Sequence, residues 1–324
     1  MRNLILVGGV VLVVCAFGLA DSTLQAQPFP NRLIQLVIPM GPGTATDIHG
    51  RVIAEELKKI LKTEIVVVNK PGASQTTGTD AVVKSKKDGY TLLYAGGAAI
   101  VAHALEPGIV PYDPIKDLEP LGLHVFFPVV IAVQEDAPWK TFHEFSDDAK
   151  KNPGKIRIST PGIQTHSSIN VMIMETLTGA QYTLIPFKEG AKAVTALLGG
   201  HVEATSFSFS PLIPHVHSKK MRVLLTSKKM SDYNNIPTIN ELGYREELTT
   251  PFMGIYAPVG IPEEVKKILV PAIKEAIHNP DVIAKISKIG GSIIDYRSPE
   301  GLKNIVAKEV ETFSAIAVKM GLRK

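Results

Sequence analysis

Two stretches of the 324-residue chain carry residue types and spacings suited to holding an anion. The first is Gly41-Pro42-Gly43-Thr44-Ala45-Thr46-Asp47, between an apolar run and an amphipathic one. Gly41 and Gly43 let the backbone turn tightly and expose its amides. A helix starting there adds unpaired N–H groups and the positive end of its dipole. An ordinary strand-to-helix turn uses the same residues, so this loop alone does not decide between the two readings. The second stretch, Ser159-Thr160-Pro161-Gly162-Ile163-Gln164-Thr165-His166-Ser167-Ser168, is dense in hydroxyls and amides and free of carboxylates. It precedes a helix containing Val171, Met172, Met174 and Leu177. Facing each other across a cleft, two such helix starts would hold both ends of a dicarboxylate.

Other chemistries are poorly supported. A dinucleotide fingerprint needs Gly-x-Gly-x-x-Gly, whereas the candidate reads Gly41, Gly43, Thr46, and no Walker lysine motif occurs. Gly72-Ala73-Ser74-Gln75-Thr76 ends in threonine where a serine-hydrolase elbow requires glycine. His215 and His217 lack the further ligands of a metal site and read as surface or internally satisfied histidines. His166 suits either a ligand contact or a capping role. No catalytic pair, resident metal or cofactor is expected.

The elements that must position these loops alternate between strand and helix. Residues 33–38 are near-continuously apolar, as in a strand buried on both faces. A helix over 47–61 carries Ile48, Val52, Ile53, Leu57, Ile60 and Leu61 on one stripe. Strands follow at 64–68 and 91–95, the first running into the loop Asn69-Lys70-Pro71-Gly72-Ala73-Ser74-Gln75. This order predicts an open α/β sheet. Residues 129–133 and 253–257 are echoing strands, each leading through proline into a helix. They suggest that the chain crosses to a second lobe near 128 and returns near 253. The expected division is lobe I over 27–127 and 253–324, and lobe II over 128–252. The final part is helical, with Pro271 expected to kink or break one helix and Ser298-Pro299-Glu300 starting another.

Compartment is read from the first 26 residues. Arg2, the apolar run Ile5 to Phe17 and the small residues ending at Ala26 form a signal peptide, with cleavage expected near Ala26. Asp21 interrupts the run too early for a membrane span, which needs about 20 apolar residues. Val14 before Cys15 is bulkier than a lipoprotein signal wants. Cleavage would remove the single cysteine, leaving a chain that relies on its cores rather than on disulfides. The formal net charge of +4 favours anion capture, while the scattered lysines, without interleaved aromatics, do not suggest nucleic-acid binding.

With these loops placed, the chain resembles the substrate-binding receptors of tripartite tricarboxylate transporters, the Bug receptors. The resemblance covers Phe29 to about Leu322. It rests on the order and spacing of Phe29-Pro30-Asn31-Arg32, Pro39-x-x-Pro42-Gly43 with Asp47 and Arg51, and Asn69-Lys70-Pro71-Gly72-Ala73. Asp88-Gly89-Tyr90-Thr91-Leu92-Leu93, Tyr112-Asp113-Pro114-x-Lys116-Asp117-Leu118, Pro153-Gly154-Lys155, Pro186-Phe187-Lys188 and Leu197-Leu198-Gly199-Gly200 continue it, ending with Pro237-Thr238 and Ala257-Pro258. The resemblance implies a two-lobed type II periplasmic-binding-protein fold, each lobe an open α/β sheet, hinged on two crossing strands. It further implies a non-enzymatic, monomeric receptor that delivers a small organic carboxylate to membrane permease subunits of a secondary transporter. By matching position, Gly43, Thr44, Ala45, Thr46 and Asp47 form one pocket loop, and Gln164, Thr165, His166 and Ser168 the other. Gln75, Lys188 and position 207, where serines flank Phe207, are further expected contributors. Departures from the family pattern, such as Ser74-Gln75 in place of Gly-Gly and Ser168 in place of a common histidine, fall largely in the pocket loops. A sensor for a membrane kinase, or less readily an enzyme acting on a small acid, are the alternative functions.

Overall fold

The computed structural model describes residues 28–105, 108–187, 189–319 and 321. The expected signal peptide with Cys15, and Lys188, lie outside the described residues. The chain runs through β1 (Ile34–Ile38), α1 (Ala45–Leu61), β2 (Ile65–Asn69), α2 (Thr76–Val83), β3 (Thr91–Gly96), α3 (Gly97–Leu105) and β4 (Leu118–Phe126). Next come β5 (Val129–Gln134), α4 (Phe142–Lys151), β6 (Arg157–Thr160), α5 (His166–Thr178), β7 (Thr183–Pro186), α6 (Gly190–Leu198), β8 (Ala204–Ser208), α7 (Ile213–His217) and β9 (Met221–Thr226). It ends with β10 (Phe252–Pro258), α8 (Glu263–His278), α9 (Pro280–Ile289), β11 (Ile293–Arg297) and α10 (Pro299–Lys319).

Two sheets result. The six-stranded sheet has the order β11-β4-β10-β3-β1-β2, and the five-stranded sheet the order β7-β6-β8-β5-β9. In the first, β1 lies parallel to both β2 and β3; in the second, β6 lies parallel to both β7 and β8. The first parallel triple is joined to three antiparallel strands and the second to two, so the architecture is a two-lobed α/β fold. The chain leaves the first sheet after Phe126 and re-enters it at Phe252. These two passages lie side by side, since the Phe127 amide donates to the Pro251 carbonyl at 2.7 Å. The echoing strands β5 and β10 therefore belong to different sheets, and each starts at a crossover.

Local rules account for most elements. Ile34, Leu36, Val37 and Ile38 are buried because helices cover both faces of the sheet. Thr141 caps α4 in a complete capping box with Glu144. Pro271 does not interrupt α8, which is continuous from Glu263 to His278. Proline removes the N–H that would bond the carbonyl of Lys267. Both residues are exposed, so water can satisfy that carbonyl and the helix persists.

The cores are less separate than the sheets. Leu302 and Val306 of α10 pack in a cluster with Leu93, Leu123 and Tyr256 of the first sheet. Phe313, Ile316 and Ala317 of the same helix join Ile131, Phe145, Ile158 and Ile169 around the second sheet. Val101, Ala104 and Leu105 of α3 join this second cluster too. The helix pair α3 and α10 thus contributes apolar surface to both halves.

Candidate functional site

Register fixes which sheet edges meet. At the first sheet's crossover end, Met253 pairs with Gly96 and Phe252 with Phe126. The carboxyl end of β3, and by parallel alignment those of β1 and β2, therefore lies level with the crossovers. In the second sheet, Val129 pairs with Ser208. The carboxyl ends of β8, β6 and β7 likewise lie at the crossover end. Both sets of strand-to-helix turns consequently open toward the junction between the sheets, the place where open α/β folds bind ligands. A direct contact joins the two sets. A Cβ added to Gly97, at the start of α3, would lie 2.6 Å from His166 Cε1, at the start of α5. Glycine is needed there because the imidazole occupies the space a side chain would take.

The first turn is organised by its own carboxylate. Asp47 Oδ2 accepts the Gly43 amide at 2.9 Å, and Asp47 also accepts from Arg51 Nε at 3.0 Å and Asn69 Nδ2 at 2.8 Å. Burial raises the Asp47 pKa, but the bonds from Arg51, Asn69 and Gly43 outweigh it and hold the group below its usual range. Thr44 caps α1, donating to the Gly41 carbonyl and accepting the Asp47 amide. Asp47 was expected among the ligand contacts; its carboxylate is instead committed to shaping the loop, because three donors already surround it. The Gly43 amide is committed with it. Ala45 and Thr46 precede Ile48, whose amide makes the bond back to Thr44, so their own amides stand outside the helical ladder.

Beside this turn, Ala73, Ser74 and Gln75 all adopt left-handed backbone, at φ 43°, 50° and 77°. Such conformations are costly for residues with a Cβ and concentrate at functional sites. Gln75 is buried, and its Oε1 has no hydrogen-bond partner.

In the second-lobe turn, Thr165 caps α5, accepting the Ser168 amide and donating to the Gly162 carbonyl. Ser168 donates to the same carbonyl at 2.7 Å and lies 2.9 Å from the Thr160 hydroxyl. Its hydroxyl is therefore spent inside the loop. Gln164 is exposed at the tip. His166 is buried, with Nε2 3.0 Å from Glu309 Oε2. At position 207, the half-buried Phe207 ring packs against Gly190, the first residue of α6. The neighbouring Ser206 is buried and donates to the Ser167 carbonyl, bracing α5.

His217 pairs with Tyr233, and no group of three or more potential metal ligands exists among the described residues. A groove of about 740 Å³ lies on another part of the junction, lined by Phe126, Lys228, Glu247, Asp295, Lys308 and Glu309 among others. Its volume suits a small ligand, but its charges are paired, as in Lys228–Asp295 and Lys308–Glu247. Sequence reasoning missed Gly97, Glu309 and Asn170. The last binds Thr249 beside a crossover through both ends of its amide. All three act through partners distant in sequence and leave no local motif.

A family model described as tripartite tricarboxylate transporter family receptor (TctC) matches residues 50–322. A protein encoded in the gbd 5′ region of Cupriavidus necator is 33% identical over the whole chain and 98% of its own length. The crystal structure of a TctC solute-binding protein from Polaromonas superposes with a TM-score of 0.81 at 26% identity, covering 90% of this chain and 99% of that one. MatC from Rhodopseudomonas palustris, solved with bound malate, gives a TM-score of 0.69 at 25% identity, over 89% and 100% of the two chains. Motif order, facing strand edges and whole-chain similarity agree, and the chain belongs to the TctC family of tripartite tricarboxylate transporter receptors.

Proposed function

We propose that this protein is exported to the periplasm, with its signal peptide cleaved near Ala26, and there binds a small organic carboxylate between lobe I, residues 27–127 with 253–324, and lobe II, residues 128–252. It hands that ligand, as a monomer, to the membrane subunits of a tripartite transporter. The observation that carries this reading is the opposition of the two carboxyl edges, with the starts of α1, α3 and α5 turned toward one junction. Family membership and the malate held by MatC support the ligand class. The amides of Ala45 and Thr46 on one side, and the first turn of α5 on the other, are the proposed anion contacts, with Thr44 and Gln164 at the rim and the buried Gln75 behind it. Lys188 is a further proposed contact, by family position alone. Asp47, Ser168 and Ser206 then act as the frame. Ligand would favour the closed arrangement only through contacts that exist in that arrangement alone.

Mass spectrometry of small molecules released from the purified protein by denaturation identifies what it captures. A thermal-shift panel of malate, adipate, citrate and their uncharged amides then tests the class. At a hundred times its Kd, a bound acid should add about 2.7 kcal/mol of stability. Equal shifts from acid and amide, or turnover of the bound acid, would overturn the receptor reading.

A further inference from the structure

We propose that Glu309 is a positioning residue for ligand capture: by bonding His166 it holds the first turn of α5, the second lobe's half of the anion site, against the first lobe. This rests on the carboxylate reading above.

The pair is largely buried and spans the junction. His166 and Glu309 are 8% and 7% exposed, lie 143 positions apart, and come from α5 and α10. The buried face of α10 runs Leu302, Val306, Glu309, Phe313, Ile316 and Ala317. Its apolar members belong first to the core of one sheet and then to the core around the other. Glu309 is the charged residue at the changeover. A carboxylate in that apolar stripe is costly unless it is bonded, and the imidazole supplies the bond. Phe313, one turn further on, meets the same imidazole edge-on at 5.0 Å between centroids. Gly97 leaves the ring room on its remaining side. The ring is therefore gripped by two elements, α10 and α3, neither of them its own.

One turn along α5, Asn170 is fastened to Thr249 by three hydrogen bonds. His166 and Asn170 share one helix face, so that face is pinned to α10 and to a crossover while the helix start stays turned to the cleft. Another ion pair across the junction is a weaker candidate for this role. Lys308–Glu247 is about two-thirds exposed on both sides, and pairs in water contribute little.

The test uses the full mature chain and two variants, Glu309→Ala and Glu309→Gln, with Lys308→Ala as control. Without any ligand, hydrogen–deuterium exchange is followed at residues 166–170. Glu309→Ala should accelerate exchange there and at the start of α3, Glu309→Gln should restore most of the protection by keeping an acceptor, and Lys308→Ala should change nothing. With malate and adipate as probes, Glu309→Ala should weaken whichever acid the unaltered protein binds by about tenfold or more, the usual worth of a hydrogen bond to a charged group, and Glu309→Gln should recover it. Unchanged exchange in Glu309→Ala, or changed exchange with unchanged affinity, would overturn the positioning role. If the unaltered protein binds neither these acids nor any recovered from purification, the carboxylate reading fails, while the exchange measurement still decides whether Glu309 holds α5. Should Glu309→Ala fail to fold, Glu309→Gln beside His166→Gln decides it. His166→Gln, which gives up the imidazole's bond and its packing, must then accelerate exchange at the α5 start more than Glu309→Gln does, and unaltered exchange in His166→Gln would sink the proposal.

Discussion

The Gly43 amide donates to Asp47 Oδ2 at 2.9 Å, closing a ring across the start of α1. An anion is thus already built into the loop, and a ligand must use the amides beyond it. Asp47→Asn should cost about 2 kcal/mol near neutral pH, because charge-assisted bonds from Arg51, Asn69 and Gly43 are weakened together. The folded pKa of Asp47 is depressed, so its stabilisation is complete above the unfolded value of about 3.9 and is lost as pH falls through the folded value. Urea unfolding should show the gap between Asp47→Asn and the unaltered protein narrowing below about pH 4. A gap that is constant with pH would mean that the charge is not what holds the loop.

Gly43 and Gly41 separate backbone strain from steric filling. A Cβ at either position would meet no atom within 4 Å, but only Gly43 has a positive φ, of 78°. Gly43→Ala should therefore cost about 1 kcal/mol and pull the amide off Asp47, whereas Gly41→Ala should stay within about 0.5 kcal/mol of the starting protein. Equal effects in a denaturation series would show that the conformation of Gly43 is not the constraint.

Elements whose cause is local were legible in the sequence. The apolar run of β1, the stripe of α1 and the Ser298-Pro299 start of α10 follow from neighbours within four residues, whereas the caps Thr44 and Thr165 read as ligand contacts. What stayed hidden depends on distance or on geometry. Glu309 reads as one charge in an amphipathic helix until its partner, 143 positions away, is placed beside it. Asp47 is placed in the pocket by its position in the family pattern, which does not show which amide the carboxylate has taken. Pro271 signalled a kink or a local break, yet whether a missing hydrogen bond breaks a helix depends on whether water reaches the orphaned carbonyl.

Ser74 is exposed and left-handed at φ 50°, in the middle of three such residues. Glycine adopts this conformation without steric cost, so Ser74→Gly should raise stability by about 1 kcal/mol despite enlarging the entropy of the unfolded chain. The urea midpoint measures it. A fall in midpoint would mean that the Ser74 side chain holds the turn through contacts that outweigh the strain.

Buried histidines give the fold an acid-sensitive side. His124 of β4 is fully buried, 2.8 Å from the hydroxyl of Tyr94 on β3, with Nε2 lacking a partner. Burial, aided by the neighbouring His49, pushes its pKa down to about 3. The unfolded chain takes up a proton near pH 6.5 that the folded chain refuses, so this contribution is complete above about 6.5 and is lost as pH falls toward 3. The slope approaches about 1.4 kcal/mol per pH unit within that window. His124→Gln, which keeps an acceptor for Tyr94, should flatten the dependence of stability on pH between about 6 and 4. An unchanged slope would assign it to other groups.

Asn170 closes a three-bond ring with Thr249: its Oδ1 accepts the Thr249 amide and hydroxyl, each at 2.8 Å, and its Nδ2 donates to the Thr249 carbonyl at 2.9 Å. Asn170 is completely buried and Thr249 nearly so. Removing the asparagine side chain strands a donor pair and an acceptor that water cannot easily reach, each worth about 1–3 kcal/mol when orphaned. Asn170→Ala should therefore cost about 3 kcal/mol or more, while Thr249→Val, which forfeits the hydroxyl bond alone, should cost about 1 kcal/mol. Because Thr249 adjoins the returning crossover and Asn170 sits one turn from His166, Asn170→Ala should also weaken acid binding more than its stability loss explains. Thr249→Val should leave affinity nearly unchanged. Unfolding curves and acid titrations on both variants check the two halves of this expectation. Parallel losses of stability with no change in affinity for Asn170→Ala would place the ring in the scaffold and detach it from the movement of α5.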